Sequence, residues 1–148
     1  MIKYERCAFM LEVYAFRHPQ SRYNLEGKIQ GQADSPLSEE GLRQAKEVAE
    51  ALKKIPFTTI LTSDLQRCIR FAWEIAHANK RRGITLHLLP ELRDRNLGIY
   101  EGEPYSIIGT IDDVFQMVLG RETIEEGESR EDFFYRGRRV FVLSLTSI

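Results

Sequence analysis

From Phe9 to Leu89, β-forming apolar runs alternate with helical amphipathic patterns, and this alternation is what most restricts the fold. Phe9 to Phe16 is apolar apart from Glu12 and predicts a strand buried on both faces that delivers Arg17 and His18 at its C-terminal end. Leu42, Ala45, Ala49 and Leu52 then recur at helical spacing behind Ser38 as N-cap, with Glu39 and Glu40 in the first turn and Lys53 and Lys54 at the close. Phe57 to Thr62 reads as a second strand. It leads, through the cap candidates Ser63 and Asp64, into a helix with Leu65, Ile69, Ala72 and Ala76 on one face and Arg67 in its first turn. Ile84 to Leu89 reads as a third strand. Strands interleaved with helices favour an α/β fold with a mainly parallel sheet covered on both faces.

Two segments lack either period. Pro19 to Pro36 and Pro90 to Pro104 read as long loops, and loops of such length usually carry function. Tyr105 to Leu119 is expected to form a helix, and Ser129 with Asp132 marks the start of another. Toward the end, Arg136 to Leu145 reads as helix, although Val140 to Ile148 alone reads equally as strand.

At 148 residues with 43% hydrophobic content, the chain fits one domain, residues 1–148, with a core of its own. Its 21 basic and 22 acidic residues nearly cancel, so no overall field would gather nucleic acid or an anionic membrane. Any anion site must therefore be local. Cys7 and Cys68 form no CxxC pair, which argues against a disulfide framework or a zinc site and suits a reducing, cytoplasmic setting. The N-terminal apolar run is interrupted by Glu12 and is expected to be neither a membrane span nor a signal peptide.

Phosphoryl transfer needs cationic donors around the equatorial oxygens, an in-line nucleophile, and an acid for the leaving oxygen. His18 can supply the nucleophile, because an imidazole of ordinary pKa, about 6.5, is largely neutral at pH 7. Arg17 offers a permanently charged planar fork of donors, and Arg67 a second one at the positive end of its helix. Taken singly, Arg67 would be a solvated helix arginine and Asp94 a charge in an arginine-rich loop. His77 and His87 have no partner at metal-ligand spacing and read as structural. Cys68 reads as a buried structural thiol, the Lys80–Arg82 cluster as a charge match to a helix C-terminus, and Phe133, Phe134 and Tyr135 as helix core.

In chain order the motifs are Arg17-His18, then Asn24, then Gly27-Lys28-Ile29-Gln30-Gly31-Gln32-Ala33-Asp34-Ser35-Pro36-Leu37-Ser38. Thr62-Ser63-Asp64-Leu65-Gln66-Arg67, Leu92-Arg93-Asp94-Arg95-Asn96-Leu97-Gly98-Ile99-Tyr100-Glu101-Gly102 and Glu126-Gly127-Glu128-Ser129 follow. This ordered set resembles the histidine phosphatases of the phosphoglycerate mutase-like superfamily, over nearly the whole chain. The resemblance implies a three-layer α/β/α sandwich and a two-step reaction without cofactor or metal. His18 would take the phosphoryl group of a small phosphorylated metabolite, and water would release it. It further implies that Arg17, Asn24, Gln30 and Arg67 hold the phosphate and that Asp94, in place of the family's usual glutamate, protonates the leaving oxygen. The Gly-Gln-Ala-Asp run is more similar to the broad-specificity phosphatases than to the mutases.

Three features depart from the family pattern. Pro19 stands where the family has glycine, and Phe71 where it has a small polar residue. The family's second histidine, after a late strand, has no counterpart before Ile148, so the expectation is a domain lacking the family's C-terminal portion. The resemblance implies a phosphoric monoester hydrolase. The alternatives are a phosphatase-like module that binds phosphate compounds or a protein partner without turnover and, beyond it, a phosphoglycerate mutase.

Overall fold

The computed structural model describes residues 12–79, 83–121 and 123–146. Its regular elements are α1 (Arg22–Glu26), α2 (Glu39–Leu52), β1 (Thr59–Thr62), α3 (Gln66–Ala78), β2 (Thr85–Leu88), α4 (Ile111–Leu119) and α5 (Arg130–Thr146). Single 3-10 turns occur at Pro90–Leu92, Gly98–Tyr100 and Tyr105–Ile107. β1 and β2 pair in parallel, with Ile60 opposite Leu86 and Leu61 opposite His87. Parallel pairing requires a crossover, and α3 provides it.

α2 forms as its sequence pattern dictates. The Ser38 side chain accepts from the Gly41 N–H at 3.0 Å, and Glu39 and Glu40 sit at the positive helix start. Its apolar stripe packs against α3 in a cluster of Leu37, Ala45, Ala49, Phe71 and Ile75, joined by Ile60 from β1. Phe71 is thus a core residue, 7% exposed. Helices α2 and α3 cover the Ile60 side of the strand pair, while Leu61, on the other face of the pleat, is 39% exposed.

Several sequence expectations are corrected. Of the expected strand Phe9–Phe16, residues 9–11 lie outside the described residues, and 12–16 form no strand and are exposed. Tyr14 packs edge-on against Phe57 and Phe16 edge-on against Phe71, so contact holds this segment without ladder bonds to a neighbour among the described residues. The segment 19–36, expected as loop, contains α1. Ser21 and Asn24 build a reciprocal capping box there, and Gly27 ends the helix at φ +66°. Tyr105–Leu119 is not one helix. Gly109, at φ +141°, breaks it, and Thr110 with Asp113 caps α4 afresh.

Ser63 and Asp64 do not cap α3. Asp34, from the preceding loop, accepts the Gln66 N–H at 2.9 Å, while Asp64 pairs with Arg93 at 2.6 and 2.5 Å. At the other end, 140–146 continue α5, which decides between helix and strand. Phe134 and Tyr135 are 52% and 67% exposed, and of the expected aromatic core only Phe133 is half-buried. The Lys80–Arg82 cluster lies outside the described residues.

A second core, Ile29, Leu97, Val114, Met117 and Ile124, lies beneath the two long loops. Arg95, with no exposed surface, locks this half. It donates to the carbonyls of Met117 and Gly120 at the C-terminal end of α4, each at 3.0 Å, and to that of Glu128 at 2.8 Å. Arg136 of α5 reaches back to the carbonyls of Arg93 and Asp94, both at 2.7 Å, and pairs through two bonds with Glu128. The loop bearing Asp94 is therefore held from both sides.

Candidate active site

The half-buried His18 follows the exposed Arg17 at the end of the extended N-terminal segment. Its Nδ1 lies 2.7 Å from the Pro19 carbonyl. A carbonyl only accepts, so this contact puts the proton on Nδ1 and leaves the Nε2 lone pair as the reactive one. Proline at 19 is compatible with this geometry, because the contact uses the residue's C=O and not the N–H that proline lacks.

Nε2 faces the Gln30 amide nitrogen at 3.2 Å. The Ser21 hydroxyl donates a short bond to the Gln30 carbonyl oxygen, which identifies the nitrogen end of the amide as the one turned toward the imidazole. Ser21, with no exposed surface, also accepts the Asn24 N–H at 3.1 Å. The Asn24 Oδ1 in turn accepts the Ser21 N–H at 3.1 Å. Asn24 is thereby tied into the same network, with its Nδ2 the end of the amide suited to an anion.

Arg67 lies in the first turn of α3, as its sequence position predicts, but it is 1% exposed. Its guanidinium donates to the carbonyls of Ala33 at 2.9 Å and Gly31 at 2.8 Å, which fixes its plane. Its Nε is buried with no partner among the described residues. Gly31, at φ +52°, presents that carbonyl, and a Cβ there would lie 2.3 Å from a Glu101 carboxylate oxygen. The same Glu101 oxygen accepts the N–H groups of Gln32 and Leu97, at 2.8 and 2.9 Å, and so ties the two long loops together.

Burial pushes the His18 imidazole below its ordinary pKa. The Pro19 carbonyl opposes this, the Arg67 and Arg17 charges lower it further, and Asp94 raises it. These three charges therefore stand within electrostatic reach of the imidazole, and the sum favours a neutral nucleophile. Asp94 is exposed, and its Oδ1 accepts the Arg95 N–H at 2.9 Å. Burial raises the Cys68 thiol, against the pull of Ser63 and Arg67, which fits a structural thiol. His77 stacks on Trp73 with centroids 4.8 Å apart and His87 is exposed on β2, so neither joins the site.

The fold thus brings Arg17, His18, Gln30, Arg67 and Asp94 together and links Asn24 to them through Ser21. Sequence reasoning missed Ser21 and the Pro19 carbonyl. Ser21 was detectable as the start of a Ser-x-x-Asn box. Among the described residues, no group of three or more His, Cys, Asp or Glu is arranged to hold a metal, and no helix is long and apolar enough to cross a membrane.

Comparison with known proteins finds relatives over most of the chain. A probable phosphoglycerate mutase GpmB of Yersinia pestis is 40% identical over 135 residues, covering 88% of this chain and 60% of the relative. The chain thus spans 60% of that curated relative's length. A mycobacterial glucosyl-3-phosphoglycerate phosphatase, solved as a complex with VO3, superimposes with a TM-score of 0.75 at 30% identity, covering 88% of this chain and 62% of that one. A phosphoglycerate mutase from Bacillus anthracis str. Sterne superimposes with a TM-score of 0.73 at 26% identity, covering 87% and 64%. The fold is accordingly the α/β fold of the phosphoglycerate mutase-like proteins, and this chain spans less than two thirds of the length of these neighbours. Residues 13–143 match the histidine phosphatase superfamily (branch 1), and the chain belongs to that family.

Proposed function

We propose that the chain is a phosphatase that moves the phosphoryl group of a small, cytoplasmic phosphorylated metabolite to His18 Nε2 and then to water. The observation that carries this reading is the imidazole itself, fixed through Nδ1 on the Pro19 carbonyl, with Nε2 unprotonated beside the Gln30 donor and two arginine charges in reach. The buried Nε of Arg67 supports it as well, since a buried N–H lacking an acceptor among the described residues suits a ligand oxygen.

In the first step the Nε2 lone pair attacks phosphorus, the ester P–O bond breaks, and the Asp94 carboxylate relays the proton of a substrate bound as its monoanion to the departing oxygen. Arg17, Arg67, Gln30 Nε2 and Asn24 Nδ2 donate to the phosphoryl oxygens as charge redistributes. In the second step a water attacks the phosphohistidine, the P–N bond breaks, and Asp94 takes the water's proton and passes it to the departing phosphate. The pair is then reset.

Hydrolysis of p-nitrophenyl phosphate in EDTA tests this, comparing the chain with His18→Ala. Activity present in the first and absent in the second supports the phosphatase. No activity in a folded sample favours a second reading, a module that binds phosphate compounds without turnover. The specific observation behind that reading is that His77 and His87 both lie away from His18. A relative named as a mutase makes interconversion of phosphoglycerates the control reaction.

A further inference from the structure

The Gln30 amide has one donating end and one accepting end, and the two ends suit opposite states of His18. With the nitrogen inward, at 3.2 Å from Nε2, it bonds to the lone pair of a neutral imidazole. Turned over, its oxygen would face Nε2, an arrangement that is favourable only when Nε2 carries a proton. The amide's orientation and the nucleophile's protonation state are therefore linked.

Ser21 decides between them. Its Oγ accepts the Asn24 N–H at 3.1 Å, and its single hydrogen is donated to the Gln30 carbonyl oxygen. Ser21 is 0% exposed and Gln30 8%, so water offers the hydroxyl little alternative. Turning the amide over would strand a buried hydroxyl hydrogen, which is unfavourable.

We propose that Ser21 is a positioning residue that locks the Gln30 amide with its nitrogen toward His18, keeping the nucleophile in the neutral Nδ1–H form until a phosphate oxygen takes over the Gln30 donor. The handover in the last clause rests on the phosphohistidine reading; the lock itself does not. The charges facing His18 come from Arg17 on the N-terminal segment, Arg67 on α3 and Asp94 on the second loop, and none is altered by changing Ser21.

The test is a pH titration of the full chain with nitrogen-15-labelled histidine, followed by NMR, for the parent, Ser21→Gly, Ser21→Thr and Gln30→Ala. Glycine is tolerated at an N-cap at little cost, so Ser21→Gly removes the hydroxyl while sparing α1. An ordinary hydrogen bond corresponds to about a three- to tenfold change in an equilibrium. In Ser21→Gly and in Gln30→Ala, the ratio of imidazolium to neutral His18 at a given pH should rise by about that factor, whereas Ser21→Thr, which keeps the donor, should titrate as the parent. A parent-like titration of Ser21→Gly, a shift in Ser21→Thr, or no shift in Gln30→Ala overturns the proposal. Should Ser21→Gly not fold, Gln30→Ala and Ser21→Thr decide it. A parent that forms no phosphohistidine ends the phosphatase reading but leaves this titration fully interpretable.

Discussion

Replacing Arg136 with methionine keeps an unbranched aliphatic stem and removes the charged fork, including the guanidinium that lies 5.0 Å from the Phe133 ring centroid. In the structure that fork makes two bonds to the Glu128 carboxylate, at 2.6 and 2.7 Å, and donates to the carbonyls of Glu91, Arg93 and Asp94 at 2.7–2.8 Å. The ion pair is largely sheltered, with side-chain exposures of 18% for Arg136 and 14% for Glu128. Removing one partner of a buried pair typically costs 3–5 kcal/mol, because the other is left as an uncompensated charge. The residual exposure here argues for the lower end, about 3 kcal/mol. With a urea dependence of about 2 kcal/mol per molar, the unfolding midpoint should fall by about 1.5 M, read by circular dichroism. Pairing Arg136→Met with Glu128→Gln should recover part of the loss, since the stranded charge is gone. A loss of less than about 1 kcal/mol in the single variant would put the pair among ordinary surface bridges and refute the idea that α5 anchors the Asp94 loop.

Three further outcomes are expected. Asp94→Asn should slow hydrolysis of an alkyl phosphate by about 10²-fold or more while affecting p-nitrophenyl phosphate much less, because nitrophenolate leaves without a proton; equal losses would contradict an acid role. Asp34→Ala removes the side chain that caps α3 and should cost about 1 kcal/mol in urea unfolding, with weaker phosphate binding because Arg67 sits one residue beyond the capped N–H. For pH dependence, the folded-state pKa of His18 is lowered, so the unfolded chain binds more protons as pH falls through about 6.5. Folded stability should therefore decline below that pH. His18→Gln should lose less stability than the parent between pH 7 and pH 5, and an identical decline would contradict it.

The sequence made local features legible and left tertiary ones hidden. The α2 stripe, its Ser38 cap and the first-turn placement of Arg67 follow from spacing and propensity, and each is as expected. The cap of α3 was misread because Ser63 and Asp64 stand in the right sequence position, whereas Asp34 reaches Gln66 only after the chain has folded across 32 residues. α1 was missed for a different reason: at five residues it is too short for an amphipathic period, and only its capping box announces it. The strand expected at Phe9–Phe16 illustrates how context overrides propensity, because β-forming residues need ladder partners, and 12–16 make aromatic contacts instead. At the site, residue identities pointed to phosphate chemistry. The orientation of the Gln30 amide and the burial of Arg67 depend on groups distant in sequence and required coordinates.

Phosphoryl transfer to His18 can be seen by trapping the covalent intermediate. The folded chain is mixed with p-nitrophenyl phosphate in EDTA, quenched at alkaline pH to preserve phosphohistidine, digested, and read by mass spectrometry with phosphorus NMR of the intact sample. One phosphoryl group is expected on the peptide containing His18, bonded to Nε2 and absent from His18→Ala. Phosphate on another residue, or none on a folded chain that still hydrolyses the ester, would contradict it.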